Sequence, residues 1–151
     1  MTWKKTAAAI LFVLGGVVVG ATPGAARNTP YMFKFADALN DASFAGQLPT
    51  DVIFFFATQQ PAKPGASLGE VEVQLKRKKS GQSDEVNCRT ALMSALGQLR
   101  DKAVAAGGNA VGGVVSYYKK TISGTETEYE CHAGATGGVV ALKGTILKID
   151  R

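Results

Sequence analysis

The chain has 151 residues, of which 46% are hydrophobic and 19% charged, and a formal net charge of +5. That length suits one domain, and the apolar fraction excludes a disordered chain. Residues 1–26 hold two of the 17 Lys and Arg and none of the 12 Asp and Glu. The rest therefore carries +3, which excludes the strongly basic balance of a nucleic-acid binder.

Lys4 and Lys5 precede an apolar or small run from Thr6 to Ala21, centred on Ile10 to Leu14. Pro23, Gly24, Ala25 and Ala26 follow. A basic start, a short apolar run and a small-residue exit are the parts of a secretory signal peptide. Gly24 and Ala26 suit the −3 and −1 sites, predicting cleavage before Arg27; cleavage after Ala21 is the rival. The run is broken by Gly15-Gly16 and falls short of the roughly 20 residues that span a bilayer. No Cys near the exit offers a lipid anchor. A periplasmic protein without a membrane span after cleavage is expected.

Residues 27–50 read as an N-terminal extension, partly helical, with Phe35, Ala38, Leu39 and Ala42 at helical spacing and Gly46 and Pro49 closing it. An α+β domain is expected over 51–151. Val52 to Phe56 is unbroken β-branched and aromatic, the pattern of a strand buried on both faces. A loop with Pro61 and Pro64 follows. Residues 69–77 then alternate, Val71, Val73 and Leu75 against Glu70, Glu72, Gln74 and Lys76, as a half-exposed strand does. Lys76, Arg77, Lys78, Lys79, Ser80 and Gly81 read as a charged turn.

The clearest helix spans 84–106. Ser83 or Asp84 can cap it, and Asp84 and Glu85 suit the first turn, where the helix dipole favours anions. Cys88, Ala91, Leu92, Ala95, Leu96, Leu99, Ala103 and Ala106 form one apolar stripe. Gly107-Gly108 supplies the left-handed stop. Period-two patterning predicts strands over 110–120 and 125–133, joined at Ser123-Gly124, with Lys119 facing Glu128. Gly134 to Gly138 reads as a second turn. Val139 to Ile149 reads as the last strand, with Gly144 marking a bulge. The expected fold is a two-layer α+β domain of order β-β-α-β-β-β. One long helix covers one face of a mainly antiparallel sheet of about five strands.

The chain has two Cys. In an oxidising compartment two cysteines pair by default. Cys88 lies on the core-facing stripe and Cys131 on the inward face of its strand with Thr127, Tyr129 and Ala133. A helix packed on a sheet can bring such positions together. The competing reading is a metal-binding or redox module on Cys88 and Cys131. Redox pairs usually sit as C-x-x-C, and His132, adjacent to Cys131 on a strand, should point to the other face. No metal site and no cofactor are therefore expected.

His132 is the sole His, and no G-x-S-x-G elbow accompanies it for a nucleophilic triad. Lys76, Arg77, Lys78 and Lys79 could meet phosphate groups of lipopolysaccharide or anionic lipid, although such runs usually solvate a surface. Tyr117 and Tyr118, followed by Lys119-Lys120, offer a possible binding edge. There is no P-loop, and the glycines at 107–108 and 112–113 follow a helix, where a dinucleotide fingerprint must open one.

A pattern runs from Cys88 through Leu99 to Gly107-Gly108-Asn109-Ala110-Val111, Tyr117 to Lys120, Glu128 to Gly134, and Val140 to Gly144. It resembles a family of small exported bacterial proteins often labelled "excinuclease ATPase subunit", over about residues 52–147. That label implies ATP hydrolysis in DNA repair, and the chain has neither the P-loop nor the zinc cysteines for it. The pattern is more distantly similar to the sensor lipoprotein domain of the Rcs envelope-stress pathway, which implies the same fold and a role at the cell envelope. The expected function is non-enzymatic binding of a protein partner or envelope component. N-terminal sequencing of the exported protein is expected to find Arg27 first; a chain that keeps Met1 would refute the signal peptide.

Overall fold

A computed structural model describes residues 26–78 and 80–151. All but the last residue of the expected signal peptide, and Lys79, lie outside the described residues. The fold is α+β: a curled, mixed sheet with one long helix against it.

The segment 27–50 begins with a strand rather than a helix. β1 (Asn28–Lys34) pairs antiparallel with β5 (Glu128–Gly134) over its whole length. Pro30 obscures it in the sequence, because a proline inside a run argues against a ladder strand. Here the strand is an edge, and the Phe35 amide bonds Thr127 O at 2.9 Å. Alternation then puts the odd amides toward β5 and the nitrogen of Pro30 on the free edge. The expected helix follows in shortened form as α1 (Phe35–Leu39) and a 3₁₀ turn at Ala42–Phe44. Phe35 and Ala38 are buried, with the Phe35 ring stacked on Phe56.

β2 (Ile53–Phe56) runs parallel to β4 (Ala110–Ser116). It is an edge strand, so the expectation of burial on both faces is corrected: Val52 and Phe56 are buried, while Ile53 is 40% exposed. β3 (Ala66–Lys78) alternates as expected, with Val71 and Val73 inward. It extends through Lys76, Arg77 and Lys78, which therefore lie on a strand and not in a turn.

α2 (Asp84–Ala105) covers the inner face. The Ser83 hydroxyl accepts the Val86 amide at 3.3 Å, and Asp84 and Glu85 occupy the first turn. Gly107 takes φ +80°, and the amides of Gly107 and Gly108 return to Val104 O and Ala103 O, a Schellman stop. The apolar stripe is buried except for Ala106, which is exposed because the helix has already ended there.

β6 (Gly137–Lys148) is central. One edge pairs with β3 throughout; the other is shared by β4 toward its end and β5 toward its start. β4 thus has β6 on one side and β2 on the other, leaving no edge for β5. The expected hairpin between residues 110–120 and 125–133 is corrected on that ground. β4 stops at Ser116, and Glu128 faces Lys34 rather than Lys119. The bulge lies in β4, between Gly112 and Val115, where Gly113 takes φ +59°. Gly144 opposite is a close approach: a Cβ there would stand 2.9 Å from Gly112 O.

Cys88 and Cys131 are joined, with Cα atoms 5.9 Å apart and both side chains fully buried. Arg27 and Tyr31 both reach the Asp84 carboxylate beside this bridge, at 2.8 and 3.2 Å. The helix can lie this close because position 138 is glycine; a Cβ would meet Asn87 O at 3.1 Å and Cys88 N at 3.3 Å. The bridged residues are 43 apart in sequence. Replacing both with alanine is expected to cost about 4 kcal/mol in denaturant unfolding, the chain-entropy value for a loop of that size.

Candidate functional site on the helix-free face

Register decides which side chains share a face. Lys76 stands opposite Val139, Val139 opposite His132, and His132 opposite Pro30. Gln74 faces Ala141, and Glu72 faces Lys143. These residues alternate with the inward Val73, Val140, Leu142 and Cys131, so they line the face away from α2.

The segment after β4 folds onto this face. The Tyr117 amide bonds Ala141 O at 2.9 Å, and a 3₁₀ turn spans Tyr118–Lys120. Lys119 and Lys120 both take left-handed backbone, φ +49° and +65°. For residues with a Cβ this costs on the order of 1–3 kcal/mol each, and such strain persists only where surrounding contacts over-determine it. Several contacts do so. A two-way backbone bridge joins Ser116 and Ser123. The Ser116 hydroxyl, itself buried, accepts the Glu130 amide at 2.8 Å. Lys120 pairs with Glu72.

The two tyrosines are thereby fixed in different roles. Two ammonium groups stand over the Tyr117 ring, Lys143 at 4.6 Å and Lys120 at 5.2 Å from its centroid, a cation–π arrangement. Tyr117 and Lys120, with Glu72, Gln74, Lys119 and Ala141, line a shallow cavity of about 270 Å³. Tyr118 stacks on His132, with centroids 3.6 Å apart, and its hydroxyl accepts from Asn28 Nδ2 at 3.3 Å. Lys119 Nζ stands over the Tyr118 ring, 5.5 Å from its centroid.

Behind the stack, His132 Nε2 meets Glu130 Oε1 at 2.6 Å. His132 Nδ1 and Ser123 Oγ are buried without a hydrogen-bond partner. Burial pushes the Glu130 carboxyl up. The Ser123 hydroxyl, close by though outside hydrogen-bond geometry, and the His132 ring outweigh burial and hold it below the ordinary carboxylate range. The order is hydroxyl, carboxylate, imidazole, whereas nucleophilic catalysis needs the imidazole in the middle. Among the described residues no three His, Cys, Asp or Glu side chains are grouped to hold a metal ion.

Of the residues singled out in sequence, the structure gathers Lys76, Tyr117, Tyr118 and His132 on one face. Lys78 shares that face at its margin, opposite Gly137. Arg77 does not: it lies on the inner side, where Nε and Nη2 donate to Ser94 Oγ of α2 at 2.8 and 2.6 Å. Lys79 lies outside the described residues. Sequence reasoning missed Lys143, Glu72, Glu130 and Asn28. Lys143 and Glu72 are separated from the tyrosines by whole elements, so only strand register reveals them. Comparison with family models, curated proteins and solved structures finds no match.

The sign of the Glu130 shift fixes an acid dependence. A carboxyl depressed in the folded state contributes stability above its unfolded pKa, and that contribution is lost as pH falls through the folded value. Glu130→Gln is expected to lower stability at neutral pH and to flatten its decline in acid. Parallel wild-type and variant curves in pH-dependent thermal melts would exclude this role.

Proposed function

We propose that the chain is an exported, non-enzymatic periplasmic protein that binds an anionic component of the cell envelope through the helix-free face of its sheet. One observation carries the reading. Lys76, Lys119, Lys120 and Lys143 share that face with two aromatic rings, in a segment held in strained backbone. Ammonium groups suit phosphate. Strain of this kind clusters at binding sites. The likeness to an envelope-stress sensor points the same way. The competing module, metal or redox chemistry at Cys88 and Cys131, has less support. Both sulfurs are fully buried and bonded to each other, which leaves an attacking thiolate no access.

The test uses vesicles of phosphatidylglycerol, vesicles of phosphatidylcholine, and lipopolysaccharide. The protein is expected to bind an anionic form, to release as salt rises, and to ignore phosphatidylcholine. Surface lysines contribute about 1 kcal/mol each near an anionic bilayer. Losing two of them costs about 2 kcal/mol, and the two carboxylates add repulsion, so K119E/K120E should weaken binding at least thirty-fold, since 1.4 kcal/mol is about tenfold. Equal binding to neutral vesicles, or binding that K119E/K120E leaves unchanged, sinks the reading.

A further inference from the structure

We propose that two copies of this chain join edge to edge through β3, antiparallel, about a two-fold axis at Gln74. β3 is paired on one side by β6, and among the described residues no strand pairs its other side. Which groups point there follows from alternation. Ala141 O is turned toward Tyr117, so Leu142 bonds β3, and Val73 opposite Leu142 bonds β6. The amides and carbonyls of Glu70, Glu72, Gln74, Lys76 and Lys78 therefore face outward. Consistent with this outward direction, Glu72 O accepts from Lys102 Nζ at 3.1 Å, a contact that the second copy's Lys76 amide would replace.

The side chains of these residues are self-complementary. With Gln74 opposite Gln74 of the second copy, Glu72 meets Lys76 and Glu70 meets Lys78, each pair occurring twice. All are hydrogen-bonding positions, so the backbone ladder and the ion pairs form in one register. Other registers lose this match. Sliding by two residues keeps only Glu70 with Lys76, or only Glu72 with Lys78; sliding further sets Glu72 against Glu72, or Lys76 against Lys76. Charged edges normally prevent pairing through repulsion, whereas here one register turns every contact attractive. The regular stretch is also centred on the axis. The register shift between Ser67 and Gly69 ends it just before Glu70, and the strand closes at Lys78.

The other edges are poorer templates. β1 carries Pro30, and β2 is short, at Ile53–Phe56. A two-fold normal to the sheet puts both α2 helices on the same side. There Ser94, tied to Arg77 of β3, is followed one turn later by Gly97, around which a Cβ would meet nothing. Small residues give adjacent helices room to approach.

Sedimentation equilibrium of the oxidised protein is expected to show a monomer–dimer equilibrium that weakens with salt. E72K and K76E should each weaken dimerisation at least tenfold, because each sets like charges opposite at two symmetric positions. E72K/K76E, which restores the match with signs exchanged, should recover it. The two Gln74 Cα atoms stand about 5.5 Å apart at this hydrogen-bonded pair, so Q74C should be crosslinked by a short bifunctional thiol reagent while E70C should not. The Q74C result stands even where a charge variant folds poorly. A monomer at millimolar concentration overturns the proposal. So does a dimer that E72K leaves intact, one that E72K/K76E fails to restore, or one that Q74C cannot trap.

Discussion

β6 is the constraint on which the rest depends. Its one edge takes β3 along the full length, and its other is divided between β4 and β5. Two strands cannot occupy one edge side by side, so β5 must leave the main sheet where β4 arrives. Ser116 sits at that fork, its backbone bridged to Ser123 and its hydroxyl holding the Glu130 amide. The departing half of β5 carries β1 with it as a ribbon. A two-stranded ribbon has little independent stability, and this one is fastened to α2 by Cys88–Cys131, Arg27–Asp84 and Tyr31–Asp84. The disulfide thus acts where the hydrogen-bond ladder is interrupted.

The same fork shapes the helix-free face. Because β4 ends early, the chain must cross from β4 to β5 over the open side of the sheet, and it does so with tyrosines against the surface and lysines outward. Tyr117 buries Ala141 beneath it, and Tyr118 covers His132. The left-handed backbone at Lys119 and Lys120 is the local cost of turning so sharply without glycine. Contacts to Glu72, His132 and Asn28 anchor the segment from three different strands. Packing therefore supplies a preorganised basic and aromatic surface rather than a mobile loop tip.

Much of the architecture was legible because single elements carry their own signals. Ser83, the stripe from Cys88 to Ala103 and Gly107 specify α2 within a turn, since capping and 3.6-residue periodicity are local. The alternation of Val71, Val73 and Leu75 with Glu70, Glu72 and Gln74 specifies β3 for the same reason. The pairing of Cys88 with Cys131 needed only a count of two and an inward position for each. What failed was non-local. A hairpin at Ser123-Gly124 satisfies the turn chemistry, yet β6 and β2 occupy both edges of β4. Val52 to Phe56 reads as interior, yet it forms an edge strand. Pro30 argues against a strand unless one knows that its nitrogen faces a free edge.

The sequence by itself determined an α+β chain, its long helix, its main strands and the inward faces that let the cysteines meet. These follow from periodicity, caps and residue chemistry within short windows. Tertiary structure alone decided strand order, the fork at Ser116 and which residues share the helix-free face. Lys143 joins Tyr117, and Glu130 joins His132 beneath Tyr118, through register and backbone geometry set by competition for the edges of β6. That competition is settled by the whole sheet, and no window of sequence contains it.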